Sequence, residues 1–337
     1  MRIGFWPPVY GNWIISVGSG ERDASFDYTR EATLLAEEVG FDTLLLAEHF
    51  MNPIAPDSDQ LDAWTTASAL AAITKKIEII AAVKPGFRSP GVIAKMASNI
   101  DAISHGRFAI NLVSAWWLPE FEMLGVPVLP HDERYERSEE FLTIVQQSWL
   151  QDDFSFSGKY FSVNQTKLAP KPVQKPHPAI YIGGESVQGR NFGAKMADTF
   201  LISGRPLAEA KKVVDDVRML ASQYKRTLRF GMSAFVICRN SESEAEAEYR
   251  RLVSLRDTQI KGADSEVVML KAVPYVKAQV GTNGGIYAGL VGTPVQIAER
   301  MCAFEAIGIE TFLLQFHPVK DELERFGKEV IPLVNPE

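Results

Sequence analysis

The stretch IEIIAAVKPGFRSPGVIAKMASNIDAISHGRFAINLV, Ile77–Val113, holds one complete structural unit. Two short, mostly apolar runs, Ile77–Ala82 and Phe108–Val113, flank a segment with helical spacing of its apolar residues, Ile93–Ile103. Runs that do not alternate polar and apolar residues fit strands covered on both faces, as in a parallel sheet. Parallel neighbours need a crossover, and the middle segment supplies one as a helix. Working outward, the same kind of run recurs at Ile3–Phe5, Thr43–Leu46, Ala179–Ile182, Thr199–Ser203, Phe230–Ile237 and Thr311–Gln315, which makes eight strands. Between them the spacing predicts helices over Asp27–Val39 and Ala63–Ile73. The first carries Leu34, Leu35 and Val39 on one stripe and stops at Gly40. Thr293-Pro294 reads as an N-cap followed by a first-turn proline, opening a helix that ends near Gly308. Eight such units fit a closed (β/α)8 TIM barrel better than an open sheet.

The whole chain, 1–337, reads as one such domain with two excursions. About 151–178 is long and ends in the proline-rich string APKPVQKPHP, Ala169–Pro178. About 256–290 ends in the glycine-rich string GTNGGIYAG, Gly281–Gly289, and an active-site lid is the reading it invites. With 46% hydrophobic residues there is ample material for a core. The net charge of −7 argues against binding to nucleic acid, which needs a basic face. No apolar stretch approaches the ~20 residues that cross a bilayer. Met1–Pro8 lacks the pattern of a secretory leader. Cys238 and Cys302 lie far apart without CxxC spacing, so neither a disulfide scaffold nor a metal site is expected, and both read as small buried residues. A reducing, cytoplasmic setting is the natural one.

Barrel enzymes build their sites at the C-terminal ends of the strands. After the first strand comes Trp6; after the second, Glu48 and His49; after the third, Lys84 and Arg88. The fourth carries Asn111, then Ser114, Trp116, Trp117 and Glu120. The fifth is followed by Gly183, Gly184 and Ser186, the last by His317. Aromatics, amides, small residues and two histidines suit a planar ligand bearing a phosphate. Backbone N–H groups and a hydroxyl after Ile182 could meet that phosphate, although Gly-Gly after a strand is often only a turn. There is no tight set of carboxylates for metal-assisted hydrolysis.

Several strings then resemble one family. GFDTLLLAEHF, Gly40–Phe50, resembles the bacterial luciferase segment that carries an active-site histidine, and His49 takes that place. SHGRFAINLVSAWWLPEFEMLG, Ser104–Gly125, resembles the family's SxGR-F-x-x-N-x-V-[ST]-G-W block, with Ala115 where glycine is usual. HDERYERSEEFL, His131–Leu142, and GTPVQIAERM, Gly292–Met301, resemble two further blocks. On these the chain is identified as a luciferase-like flavin-dependent monooxygenase. Within the family it is most similar to the two-component enzymes for alkanesulfonates and dimethyl sulfone.

The resemblance implies FMN, used as FMNH2, together with dioxygen. An NAD(P)H-dependent flavin reductase would be the partner, a small organosulfur compound the substrate and C–S cleavage the outcome, in a homodimer or homotetramer. It places Asn111 and Glu120, with Glu48 and Ser114, against the flavin. It assigns Tyr135 and Ser186 to the phosphate, with Arg134, Gly183 and Gly184 beside them. His49 and His317 are the catalytic candidates; Trp6, Lys84, Arg88, Trp116 and Phe235 are the substrate candidates. Departures matter too. Where the alkanesulfonate enzyme has an arginine and a histidine in its seventh strand, this chain has Ser233 and Phe235, and its active-site cysteine is replaced near Gln60. Lys84 stands where that enzyme has an arginine, so one cation is kept and another lost. A deazaflavin-dependent hydride transfer and a non-catalytic flavin-binding role are the competing expectations. The structural alternatives are equally concrete: His49 as a strand-end histidine, HDERYERSEE as a solvated helix face, either tryptophan as core, and His105 and His177 as surface loop residues.

Overall fold

The computed structural model describes residues 1–9, 24–52, 59–114, 117–260 and 280–336, with backbone alone at 256–260. The barrel strands are β1 (Arg2–Phe5), β2 (Thr43–Leu46), β3 (Glu78–Val83), β4 (Phe108–Leu112), β7 (Ala179–Gly183), β8 (Thr199–Ile202), β9 (Arg229–Phe235) and β12 (Ile309–Gln315). They close in the order β1-β12-β9-β8-β7-β4-β3-β2, all parallel, with β1 paired to both β12 and β2. Each of the eight expected runs is one of these strands. The expected helices are present as α1 (Phe26–Glu38), α2 (Ala63–Ile73), α3 (Pro90–Ile103) and α9 (Pro294–Ala306), and α9 starts in a full capping box between Thr293 and Gln296. Among the described residues no helix is long and apolar enough to cross a membrane.

Strand alternation divides the core. Outward residues such as Ile79, Ala81, Phe108, Ile110, Phe200 and Phe312 pack under the helices, while Leu45, Ile80, Ala109, Leu201 and Leu313 fill the barrel interior with Tyr181. Gly231 belongs to the inward set because a Cβ there would meet Leu201 Cδ2 at 2.7 Å. The interior is polar at both ends. At the N-terminal end Tyr181 Oη donates to Glu78 Oε2 at 2.9 Å, and Arg2 bonds both. At the C-terminal end, two residues beyond Ala109 and Leu313, the inward positions are Asn111 and Gln315. A cleft of about 490 Å³ opens at the N-terminal end, beside Arg107 and Glu37. Those two groups already make four hydrogen bonds each within the chain, so the cleft offers a ligand little.

Some sequence expectations need correction. On α1 the buried positions are Tyr28, Thr29, Ala32, Thr33 and Ala36, and Leu34 is exposed; the helix lies on the barrel through small residues that allow close approach. Cys238 is buried but Cys302 faces outward on α9. His177 is half-buried, its ring 5.9 Å from that of Trp149, whereas His105 lies exposed. The 151–178 excursion is an antiparallel hairpin, β5 (Phe154–Ser157) with β6 (Ser162–Thr166), held to α5 (His131–Leu150) by Glu140, which accepts from the backbone of Lys159, Tyr160 and Phe161.

The second excursion divides into three parts. Residues 256–260 finish α8 (Glu242–Ile260), residues 261–279 lie outside the described residues, and 280–290 is a packed wall over β8, β9 and β12. Gln315 clamps that wall from both sides of its amide: Oε1 accepts from Thr282 N at 2.7 Å and Nε2 donates to Thr282 O at 3.0 Å. Gly204 N donates to Asn283 O at 2.8 Å. The glycines there serve close packing. Gly284 has φ +84°, and a Cβ on it would overlap the Gly204 backbone. Gly289 has φ +73° with open space around it. Gly284→Ala should therefore lower unfolding free energy by about 2–4 kcal/mol, from left-handed strain plus overpacking, and Gly289→Ala by only about 1–2 kcal/mol. Chemical denaturation of both variants checks this; equal losses would mean that the contact with Gly204 gives way freely.

Candidate active site

Three elements meet at the C-terminal mouth around one carboxylate. Glu120 lies on α4 (Pro119–Met123), a short helix after β4, and is fully buried. Its Oε1 accepts from Phe50 N at 2.5 Å, just beyond β2, and its Oε2 accepts from Lys84 Nζ at 2.5 Å, just beyond β3. Lys84 Nζ also lies 3.0 Å from His49 Nδ1. Lys84 N donates to Glu48 Oε2 at 2.6 Å, and Glu48 Oε1 pairs with Arg88, whose other nitrogen holds Asp62 Oδ2 at 2.6 Å. The Arg88 guanidinium lies over the Phe50 ring, and the Trp117 ring meets His49 edge-on at 6.0 Å.

Burial and pairing set the charges. Burial pushes the Glu48 carboxyl up to about 7, although Arg88 and Lys84 pull against it. Burial acts the same way on Glu120, but His49 and Lys84 outweigh it, so that carboxyl stays below its ordinary value. Lys84 is lowered by burial against the pull of Glu120, and His49 is lowered by burial and then by the Lys84 charge.

A second group lies across the mouth, where β7 meets α6 (Val187–Met196). Ser186 caps that helix, accepting from Gly189 N at 3.0 Å and donating to Tyr135 Oη at 3.2 Å. Gly184 has φ +142°, and a Cβ there would lie 3.2 Å from Tyr135 Oη. Two hydroxyls thus lie beside a helix N-terminus, a setting favourable to an anion. Gly183 closes β7 beside Leu201, and Ser114 Oγ pairs with Ser138 Oγ at 2.9 Å. Arg134 sits half-buried one residue before Tyr135. Between the two groups, Asn111 is buried on β4 and its Oδ1 has no hydrogen-bond partner among the described residues. A buried amide oxygen of that kind calls for a donor.

The expected residues thus converge only in part. Trp6 is half-buried beyond β1, and Trp116 lies outside the described residues. Lys84 and Arg88, expected at the substrate, are held by carboxylates. Phe235 is fully buried in a satellite cluster with Ile237, Ala245, Leu252, Val280 and Ile286. His317 is half-buried, and its electrostatic influence falls on Glu248 of α8. The sequence reading passed over Asp62, Glu185, Gln315 and Arg137. Asp62 directly precedes a helix, caps it at Thr65 N and also holds Arg88. Glu185 lies within the Gly-Gly string, accepts from Ser203 N at 2.7 Å and pairs with Arg205. Gln315 is the single polar side chain in its apolar strand end, FLLQF. Arg137 has a sequence that reads as a solvated face, yet it is buried, its guanidinium 5.6 Å from the Phe121 ring and close against Gly86.

A closed parallel barrel with a charge cluster, and with paired hydroxyls at a helix N-terminus, at its C-terminal mouth is the frame of a barrel enzyme. The luciferase-like monooxygenase profile matches residues 10–311, and the chain belongs to that family. It is similar to the FMNH2-dependent dimethylsulfone monooxygenase of Pseudomonas putida, with 37% identity over 99% of this chain and 95% of the relative. The enzyme of the same name from Pseudomonas fluorescens (strain Pf0-1) is 34% identical over 99% and 94%. A long-chain alkane monooxygenase has the same fold, with a TM-score of 0.81 at 23% identity over 98% of this chain and 90% of that one.

The Lys84–Glu120 pair makes a direct energetic expectation. Removing one partner of a buried ion pair leaves a bare charge and costs about 3–5 kcal/mol, whereas removing both can be nearly neutral. Lys84→Met and Glu120→Gln should each fall in that range, and the double variant should lose clearly less than the sum. Urea titrations of the three variants measure this; additive losses would show that the two groups do not stabilise one another.

Proposed function

We propose that the protein is an FMNH2-dependent monooxygenase for neutral dialkyl sulfones, with dimethyl sulfone as the simplest substrate. The names of the Pseudomonas relatives support the reaction. The observation that carries the choice of a neutral substrate is charge balance. Lys84 and Arg88, the cations of this cluster among the described residues, face three carboxylates, Glu120, Glu48 and Asp62. No positive charge is left over from that cluster, and a like-charged ligand beside buried carboxylates is disfavoured by several kcal/mol. A sulfone carries no net charge and meets no such penalty.

FMN fits the residues at the mouth. Gly184, Ser186 and Tyr135, with Gly183 and Arg134 beside them, would meet the phosphate. Asn111 Oδ1 would accept from the ring system, and Ser114, Glu48 and Glu120 would flank it. When bound, reduced flavin supplies the two electrons with which dioxygen is activated. The overall change balances as dimethyl sulfone, dioxygen and FMNH2 giving methanesulfinic acid, formaldehyde, water and FMN. One oxygen atom goes to the substrate carbon and the other to water, a C–H bond is oxidised and the C–S bond breaks. His49, as a hydrogen-bond donor to the reacting groups, and His317, for handling protons, are the catalytic candidates, and Trp6, Trp116 and Phe235 the candidates for an apolar wall that keeps water out. The sulfinate product is an anion, and the same carboxylates that reject sulfonates favour its departure. The chain has no GxGxxG string after a strand, which supports a separate NAD(P)H-dependent flavin reductase as the source of FMNH2. A cytoplasmic homodimer or homotetramer completes the reading.

Two measurements test this. With FMN, NADH and a flavin reductase, the protein should release formaldehyde from dimethyl sulfone, and kcat/KM for methanesulfonate should be at least about 100-fold lower. Equal turnover of the sulfonate would refute the charge argument. Separately, Tyr135→Phe with Ser186→Ala should weaken FMN binding about tenfold or more, since hydrogen bonds to a charged group contribute about 1.5–3 kcal/mol each, while riboflavin affinity changes little. The riboflavin control matters because Ser186→Ala also removes a helix cap, costing about 1 kcal/mol of stability. Equal losses for both flavins would remove these hydroxyls from the phosphate site.

A further inference from the structure

Lys84 was expected to meet substrate, and its surroundings leave it another task. Its ammonium is buried between the Glu120 carboxylate at 2.5 Å and His49 Nδ1 at 3.0 Å. An ammonium has donors and no acceptor. The imidazole nitrogen that faces it at hydrogen-bond distance must therefore offer a lone pair. The competing arrangement, with Nδ1–H donating to Glu120 Oε2, spans 3.5 Å and would aim an N–H proton past the ammonium that already occupies that oxygen. Glu120 has no spare oxygen nearby, since Oε1 is taken by Phe50 N.

We propose that Lys84 is a positioning residue that fixes His49 as the neutral Nε2–H tautomer, so that the ring presents its single N–H away from the charge cluster. The charged groups that face His49 among the described residues are Lys84, Glu120 and, just beyond β2, Glu48 with its partner Arg88. From the β3 end Lys84 opposes protonation, and from α4 Glu120 favours it while being neutralised by Lys84. On β2 the neighbouring Glu48 is matched by Arg88, and Arg88 in turn by Asp62. The Trp117 ring covers one edge of the imidazole without charge. Burial adds to the Lys84 effect and holds the imidazole below its ordinary pKa. The histidine then works as a hydrogen-bond donor through Nε2 across the neutral pH range. Its ability to accept a proton at Nδ1 is blocked for as long as Lys84 is charged.

This assignment rests on the monooxygenase reading only for its catalytic meaning. Its test needs neither flavin nor substrate, so the two can fail separately. In protein labelled with [15N]histidine, long-range 1H–15N spectra separate the two neutral tautomers and the cation, and loss of one ring system in His49→Gln assigns the signal. Wild type should show Nε2–H at His49 with a titration midpoint below about 6.5, the unperturbed value. Lys84→Arg keeps a donor at the same place and should keep that pattern. In Lys84→Met the unopposed Glu120 should draw the proton to Nδ1 and raise the titration midpoint above about 6.5, the unperturbed value. If that variant does not fold, the Lys84→Met/Glu120→Gln pair removes both charges and should give mixed tautomers. A Nδ1–H ring in wild type, titration near pH 6.5 in wild type, or wild-type signals in either Lys84→Met protein would overturn the assignment. With the reductase-coupled assay, the acid limb of kcat/KM against pH should move to higher pH in Lys84→Met and stay in place in Lys84→Arg. A merely structural loss would lower the whole profile without moving it.

Discussion

The buried carboxylate of Glu120 holds the mouth of the barrel in one arrangement. It joins three stretches that the chain brings together only by closing the sheet: the backbone after β2, the lysine after β3 and its own short helix after β4. A carboxylate with no exposed surface is costly to bury unless each lone pair finds a donor. The network is therefore stable when complete and expensive when broken, and that sharpness is what keeps His49, Lys84 and Trp117 in fixed relation. A looser, solvent-exposed cluster of the same residues would leave the imidazole free to change tautomer and charge.

The opposite wall of the mouth is set by a different constraint, the close approach of backbones. Segment 280–290 lies on the strand ends through the Gln315 clamp on Thr282 and through the contact of Gly284 with Gly204. Neither contact involves a charge. Phe235 fills the space behind this wall together with α8. The two sides therefore respond to different perturbations, the charged side to pH and charge-removing substitutions, the packed side to added volume. An enzyme that must keep water from its reacting groups benefits from having at least one side that does not depend on protonation.

Much of the architecture was legible before any coordinate. The apolar runs located all eight barrel strands because a strand covered on both faces has a composition that few other segments share. The α1 stripe was misjudged because Leu34 and Leu35 look like a core face, while the helix packs through Thr29, Ala32, Thr33 and Ala36, whose small size permits close contact. The lid reading of 256–290 rested on a long connection ending in glycines, which lower the cost of unusual backbone angles. In the described part Gly284 also permits the close approach to Gly204, a use that hydropathy does not distinguish from a hinge.

The order of elements and the family blocks were determined by the sequence alone, since each depends on local pattern or on strings of neighbouring residues. Which groups are charged, and toward what, was decided only by the tertiary structure. Lys84 and Arg88 look in sequence like two cations ready for an anionic substrate. In the fold Glu120, Glu48 and Asp62 neutralise them from positions as many as 36 and 40 residues away along the chain. Coulomb interactions depend on distance and burial in space, and no periodicity along a chain encodes either of them.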